Sequence, residues 1–304
     1  MQKIVPHLWF DTEAEQAAEF YCRTFPNSKI ISKAKIVDTP SGDCDFMTFN
    51  LNGHDFMAIS AGPDFKINPS ISFLLNFDPS QDPKAEENLR ILWEKLADGG
   101  APLMPLQEYS FSKLYGWIQD RFGVTWQLML TDPSGEPRPF ITPSLMFSQD
   151  NTNKAEEAIT FYVETFKRSK AGTLARYPEA AGPAKQGSIM YGDFMIENQW
   201  HAAMDSGVEQ SFTFNEGVSL LVNCDTQEEI DYYSDKLSAV PEAEQCGWVK
   251  DRYGVSWQLS PTAMNDMFQN GTREQIDRMS QTFLKMKRLD IAKIEAAFND
   301  TGTN

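Results

Sequence analysis

The chain is poor in several things, and each shortage removes a class of protein. No run of 18 apolar residues occurs in its 304 residues, so no segment reads as a membrane-crossing helix. The opening stretch MQKIVPHLWFDTEAE has no apolar signal core and turns acidic at once. Cysteine is sparse: Cys22, Cys44, Cys224 and Cys246 stand alone, with no CxxC pair to suggest zinc or a disulfide framework. Reduced thiols and a cytoplasmic location are the expectation. Basic residues are outnumbered 27 to 43, for a net charge of −16. A polyanion does not attract a phosphate backbone, so nucleic acid is not an expected partner. No basic amphipathic stretch points to a membrane surface. Only three histidines are present, His7, His54 and His201, which limits metal chemistry. No glycine-rich GxGxxG turn follows any strand-like segment, so a nucleotide-type cofactor site is absent from the pattern.

What is present is repetition. Residues 116–128 read GWIQDRFGVTWQL and residues 247–259 read GWVKDRYGVSWQL, with nine of thirteen positions identical. A second pair, AEQAAEFYCRTF from Ala14 and AEEAITFYVETF from Ala155, keeps the same order. The offsets are 131 and 141 residues, far above solenoid repeats and normal for a whole domain. The chain reads as a tandem duplication: domains at 1–137 and 138–265, then a tail at 266–304.

Periodicity places the elements. Ile4–Phe10 is a strand, followed by a helix from Thr12 to Phe25 with Ala14, Ala17, Ala18, Tyr21 and Phe25 at helical spacing. Ile30–Val37, Asp45–Leu51 and Asp55–Ser60 are strands, and Asn52-Gly53 is a hairpin signal. Ile71–Phe77, the helix Lys84–Ala97 and the strands Leu103–Gln107, Tyr115–Gln119 and Val124–Leu130 repeat the βαβββ motif. The stretch Gln107–Trp117 reads as a long loop kept only in the first half. The second half repeats the plan from Ile141, giving four βαβββ units. Thr272–Phe298 reads as one long amphipathic helix, with Ile276, Met279, Phe283 and Met286 on its apolar face.

Paired βαβββ units, an AxxAxxFY helix and the closing strands Asp120–Leu128 and Asp251–Leu259 resemble the vicinal-oxygen-chelate superfamily. Within it, the PhnB-like family is most similar, a family that carries the description 3-demethylubiquinone-9 3-methyltransferase. The tail LKMKRLDIAKIEAAF adds to that resemblance. It implies an α+β fold of tandem glyoxalase-like domains, with mixed sheets and helices outside. It also implies that the two halves form an intrachain pseudo-dimer.

The superfamily's enzymes hold a divalent metal through a His or Gln of the first strand, a carboxylate, a second His and a closing-strand Glu. Carried onto this chain, the closing-strand Glu falls on Gln127 and Gln258. Alternation sets Thr125, Gln127 and Met129 on one face and Val124, Trp126 and Leu128 on the other. The first-strand position falls near His7 and Ser144. The second His falls near Ser72 and Ser219. Glu197 or Asn198 stands near the carboxylate position in the second half. Only His7 and Gln127 remain as first-half metal candidates, and no cofactor is expected.

A first-half ligand site of His7, Trp9, Ser72, Tyr109, Thr125 and Gln127 is expected, with Ser144, Met146, Glu197, Ser219 and Gln258 as second-half counterparts. Phe46, Phe73, Phe111 and Trp117 join the aromatic candidates. Against this stands ordinary core packing, the commoner fate of strand aromatics. Trp126 and Trp257 are expected in the core, and Asp120 and Asp251 as turn caps or ion-pair partners. The leading function is metal-free binding of a small molecule. The alternative is a metal-dependent lyase, isomerase or dioxygenase. Methyl transfer lacks a glycine-rich donor site.

Overall fold

The computed structural model describes residues 2–39 and 41–300. The first βαβββ unit is β1 (Ile4–Phe10), α1 (Ala14–Thr24), β2 (Lys29–Thr39), β3 (Gly42–Leu51) and β4 (His54–Ser60). The second is β5 (Ile71–Phe77), α2 (Ala85–Ala97), β6 (Ala101–Tyr109), β7 (Ser112–Gln119) and β8 (Thr125–Leu130). The third is β9 (Ile141–Phe147), α3 (Ala155–Thr165), β10 (Lys170–Arg176), β11 (Ile189–Ile196) and β12 (Gln199–Asp205). The fourth is shorter: β13 (Val218–Cys224), α4 (Gln227–Leu237), β14 (Trp248–Lys250) and β15 (Ser256–Pro261). A 3-10 turn at Pro241–Ala243 stands where this unit would have its counterpart of β6. Three tail helices follow, α5 (Ala263–Asn270), α6 (Arg273–Phe283) and α7 (Ile291–Asn299).

These units form two mixed sheets flanked by helices, the expected α+β arrangement. The first sheet runs β14-β15-β13-β1-β4-β3-β2 and the second β10-β11-β12-β9-β5-β8-β7-β6. Each sheet has an antiparallel seam at its middle, β1 on β13 in one and β5 on β9 in the other. The unit across each seam comes from the other half of the sequence. The first unit therefore pairs with the fourth, and the second with the third. One compact body runs through Arg23, takes in Asn27–Lys66 and resumes at Asn215. The other is Ile67–Phe214 with Thr24–Pro26. We call them unit 1 and unit 2. The boundaries 1–137 and 138–265 thus describe the sequence repeat, while packing follows a crossed partition. The tail belongs to unit 1.

Local chemistry explains the elements. Ala14, Ala17, Ala18 and Tyr21 of α1 are fully buried, and the alanines let the helix lie close to the sheet. Tyr21 stacks on Phe49 of β3, which stacks in turn on Phe56 of β4. Asn52 and Gly53 both take positive φ, 47° and 87°, the signature of a type I′ hairpin turn between β3 and β4. The expected long loop after Gln107 is instead a hairpin, with β6 and β7 paired from Ala101–Gln119 to Tyr109–Ser112. Two prolines, Pro102 and Pro105, lie on β6, the outer strand, where a missing N–H is tolerated. The expected single tail helix is broken. Its start stands where expected, Thr272 opening α6 with a reciprocal capping box to Gln275, and the break falls between Phe283 and Ile291, which divides α6 from α7. Asp290 caps α7 by accepting from Lys293 N. Between α6 and α7 the backbone turns its carbonyls to other work: Met286 O and Lys287 O accept from Cys246 N and Gly247 N at 2.7 and 2.8 Å.

No helix among the described residues is long and apolar enough to cross a membrane.

Candidate ligand-binding cavity

The phrase DRxGVxWQL sets the geometry. In unit 1, Asp251 Oδ1 accepts from Tyr253 N at 2.9 Å and Val255 N at 3.0 Å, and Oδ2 accepts from Trp257 Nε1 at 2.9 Å. In unit 2, Asp120 does the same for Phe122 N, Val124 N and Trp126 Nε1. One buried carboxylate thus closes the turn and pins the tryptophan to the helix side, where Trp126 and Trp257 are fully buried. Alternation then turns Gln127 and Gln258 to the opposite face.

On that face each glutamine meets a serine. Gln258 Nε2 donates to Ser219 Oγ at 2.9 Å, and Gln127 Nε2 donates to Ser72 Oγ at 2.6 Å. Across the central seam, Ser219 lies opposite His7 and Ser72 lies opposite Ser144. The two constellations are therefore His7–Ser219–Gln258 in unit 1 and Ser144–Ser72–Gln127 in unit 2. The expected partnership of His7 and Trp9 with Ser72, Tyr109, Thr125 and Gln127 is not formed. Those six residues divide between the two units because the sequence halves exchange modules.

The two faces differ in filling. In unit 2, Leu74, Tyr115, Trp117 and Met146 pack as one cluster, with Tyr109 and Met129 against it. Tyr115 donates its hydroxyl to Gln127 Oε1 at 2.8 Å, and burial holds that phenol well above its ordinary pKa. Thr125 Oγ1 is buried without a hydrogen-bond partner among the described residues. Glu197 is elsewhere: it sits in the β11–β12 turn at φ 48°, accepting from Lys167 N and paired with Arg168. Its carboxylate serves that turn. Phe73 packs on Trp126 in the helix-side core, and Phe111 is 59% exposed at the β6–β7 tip.

Unit 1 holds a cavity of about 320 Å³. Its wall carries an unbroken run of aromatic contacts, Trp9–Trp248–His7–Phe46–Phe268–Phe283, with successive ring centroids 5.6–6.3 Å apart. Thr39, Ser41, Gln245, Gln258, Ser260, Cys44, Cys246 and Asp64 supply polar edges, and among the described residues neither lysine nor arginine lines it. The tail contributes Met264, Phe268, Phe283, Leu284 and Leu289. An amphipathic tail was legible in the sequence; its place on this wall was not. Trp248 was missed although it is the repeat counterpart of Trp117. Alternation backward from Gln258 through its antiparallel partner would have found it, since Trp248 lies opposite Gln258.

His7 is 2% exposed, and desolvation lowers its pKa to about 3. The imidazole is neutral at physiological pH, and its Nδ1 has no hydrogen-bond partner among the described residues. Burial also raises the Cys44 and Cys246 thiols, which stay protonated.

The superfamily's metal site can be tested against these donors. His7, Ser219 and Gln258 bring one imidazole, one hydroxyl and one amide, with no carboxylate among them. Among the described residues no three His, Cys, Asp or Glu side chains converge on a point. Such a set does not suit a catalytic divalent ion, which takes about three strong protein ligands.

His201 lies within β12 and stacks on Phe194 of the unit 2 core. Its Nδ1 faces Gln199 O at 3.1 Å, its Nε2 is buried without a partner among the described residues, and desolvation lowers its pKa to about 4. The folded state thus binds this proton less readily than the unfolded chain, whose histidine titrates near 6.5. Its share of stability is complete above pH 6.5 and is lost as pH falls toward 4. The slope is about 1.4 kcal/mol per pH unit. His201→Phe is expected to take this share off the total slope in urea titrations run from pH 6.5 to 4.5, leaving the similar share that buried His7 contributes. An unchanged slope would assign the acid sensitivity elsewhere.

Two mixed sheets, each built from paired βαβββ-type modules that present a glutamine–serine pair on the face opposite the buried tryptophan, define a tandem glyoxalase-type protein of the vicinal-oxygen-chelate class. Glyoxalase I from Zea mays shares the fold, at 13% identity over 86% of this chain and 92% of its own, with a TM-score of 0.51. More narrowly, the chain belongs to the 3-demethylubiquinone-9 3-methyltransferase family, whose sequence model matches residues 2–129 and again 139–260. A PhnB protein from Bacillus cereus bearing that description is 36% identical over 43% of this chain and 100% of its own, with a TM-score of 0.38. A protein from Staphylococcus aureus is 32% identical over 43% of this chain and 98% of its own, with a TM-score of 0.18. No functionally curated protein matches the chain.

Proposed function

We propose that the chain is a small-molecule binding protein whose site is the unit 1 cavity, working without a metal. The observation that carries this reading is the aromatic wall around about 320 Å³, with neutral groups at the positions where relatives of this fold class keep metal ligands. A cavity of that size takes a ring system with a few substituents. Its chemistry favours holding over transforming. An imidazole with a pKa of about 3 is a weak general base at neutral pH, and protonated thiols are weak nucleophiles.

The alternative reading, a metal-dependent lyase, isomerase or dioxygenase, needs a ligand set that His7, Ser219 and Gln258 do not make. Methyl transfer is named in the family description. In this chain β1 runs into Asp11-Thr12-Glu13, without the glycine-rich turn that usually cradles a nucleotide-like donor.

Titration with Nile red, an uncharged dye, tests the reading. Saturable binding at one site per chain is expected, with quenching of the Trp9 and Trp248 emission. Metal analysis of the purified protein should find well under one equivalent of nickel, zinc, manganese or iron, and chelation should leave the melting temperature unchanged. A stoichiometric ion whose removal lowers that temperature would overturn the metal-free reading. Absence of saturable dye binding would overturn the cavity as the site.

A further inference from the structure

Unit 1 and unit 2 carry the same glutamine in the same register, yet only one of the two is saturated. Gln127 is held at both ends, its amide nitrogen donating to Ser72 and its oxygen accepting from Tyr115. Gln258 keeps the first bond, to Ser219, and among the described residues its Oε1 has no hydrogen-bond partner. The repeat alignment explains the difference. Gly116 corresponds to Gly247, so the residue matching Tyr115 is Cys246. Where unit 2 places a phenol, unit 1 places a thiol, and that thiol is directed to Leu284 O at 3.3 Å. The backbone there is also re-routed. Cys246 and Gly247 both take positive φ, 53° and 84°, and give their N–H groups to the tail. The phenol that plugs one site is thus missing from the other, and space of about 320 Å³ takes its place.

Resting on the reading of this cavity as a binding site, we infer that it selects uncharged, ring-shaped molecules carrying a hydroxyl or N–H donor, which Gln258 Oε1 accepts, and that it rejects anions. The ring fills the aromatic wall of Trp9, Trp248, Phe46 and Phe268. The donor takes the position that the Tyr115 hydroxyl holds in unit 2. An anion would lose its hydration and meet, among the described lining residues, no lysine or arginine to balance its charge, only neutral hydroxyls, amides, thiols and an imidazole edge together with the Asp64 carboxylate. The unit 2 site is in effect already occupied by its own tyrosine.

Three probes of one shape test this: naphthalene, 2-naphthol and 2-naphthoate, each competing with Nile red at pH 7. 2-Naphthol is expected to bind about tenfold more tightly than naphthalene, the worth of one buried neutral hydrogen bond. 2-Naphthoate should bind at least roughly 100-fold more weakly than 2-naphthol. Gln258→Leu should erase the advantage of the hydroxyl while leaving naphthalene binding in place. Cys246→Tyr, which adds the bulk of a phenol at the cavity wall, should weaken binding of all three. Circular dichroism would establish that both variants fold, and Gln258→Leu carries the test alone if Cys246→Tyr does not. Naphthoate binding as tightly as naphthol would overturn the inference, as would an undiminished hydroxyl preference in Gln258→Leu. So would Nile red binding with no naphthalene derivative able to compete, while the cavity reading itself survived. Failure of Nile red and all three probes together would remove that underlying reading.

Discussion

Ending the chain at Pro261 is expected to lower the melting temperature by about 5 °C or more and to abolish Nile red binding. The tail buries Met264, Ile276, Met279, Phe283, Leu289 and Ile294, each below a tenth exposed. Such side chains contribute roughly 1.5–3 kcal/mol each when withdrawn from water. Much of that gain is offset by ordering the tail backbone, at about 1–2 kcal/mol per residue. The net loss on removal is therefore several kcal/mol at most, and at this chain length each kcal/mol moves melting by about 2–4 °C. The binding effect should be larger. Phe268 and Phe283 complete the aromatic run, and Leu284 and Leu289 close the wall beside Cys246. Specific polar anchors hold the segment in place: Gln245 Nε2 to Leu284 O at 2.7 Å, and Ile291 N to Gln227 Oε1 at 2.9 Å. A truncated protein that melts at the same temperature and binds the dye as before would show that the tail is neither core nor wall.

The sequence made the modules legible and hid their pairing, for a physical reason. Alternation in GVxWQL separates a buried tryptophan from an inward glutamine, and both positions stand where alternation places them. The alanine face of α1 and the Asn52-Gly53 turn are equally local signals. Which module pairs with which is not local. β1 and β9 are repeat counterparts, as are β5 and β13, so either member of a pair offers a similar edge. The connections between modules, residues 61–70, 131–140 and 206–217, are nearly equal in length and favour no choice. For that reason His7 was expected beside Gln127 and is found beside Gln258. The strands Leu103–Gln107 and Tyr115–Gln119 are expected and stand within β6 and β7, while the pairing that carries them on to Tyr109–Ser112 is hidden in a stretch, Gln107–Trp117, that reads as loop. The missing β6 counterpart in unit 1 was visible as a shorter segment. Its consequence was not: the tail backbone takes over the N–H groups of Cys246 and Gly247 that the shortened segment leaves behind.

A large cost is expected from one substitution, Asp251→Asn, at about 2–4 kcal/mol. Asp251 is 1% exposed, and its carboxylate accepts from two backbone N–H groups and the Trp257 indole. An amide of the same shape must turn its NH₂ toward at least one of these donors. That N–H then has neither its old partner nor water, and the Trp257 ring or the turn must shift to relieve it. Because this turn sets the register of β15, the change should also weaken probe binding through Gln258, which an effect confined to the core would spare. The neighbouring charge in the same motif behaves differently. Arg121, at the matching place in unit 2, donates to the carbonyl and carboxylate of Asp98, and both side chains are more than a third exposed. Such a pair contributes about 0–1 kcal/mol, so Arg121→Ala should be nearly silent. The motif is then unequal by design: its aspartate builds the strand and its arginine decorates the surface. Urea denaturation of Asp251→Asn and Arg121→Ala side by side measures this directly. Equal losses in the two variants, or an Asp251→Asn protein within about 0.5 kcal/mol of the parent, would show that the carboxylate does not hold the closing strand.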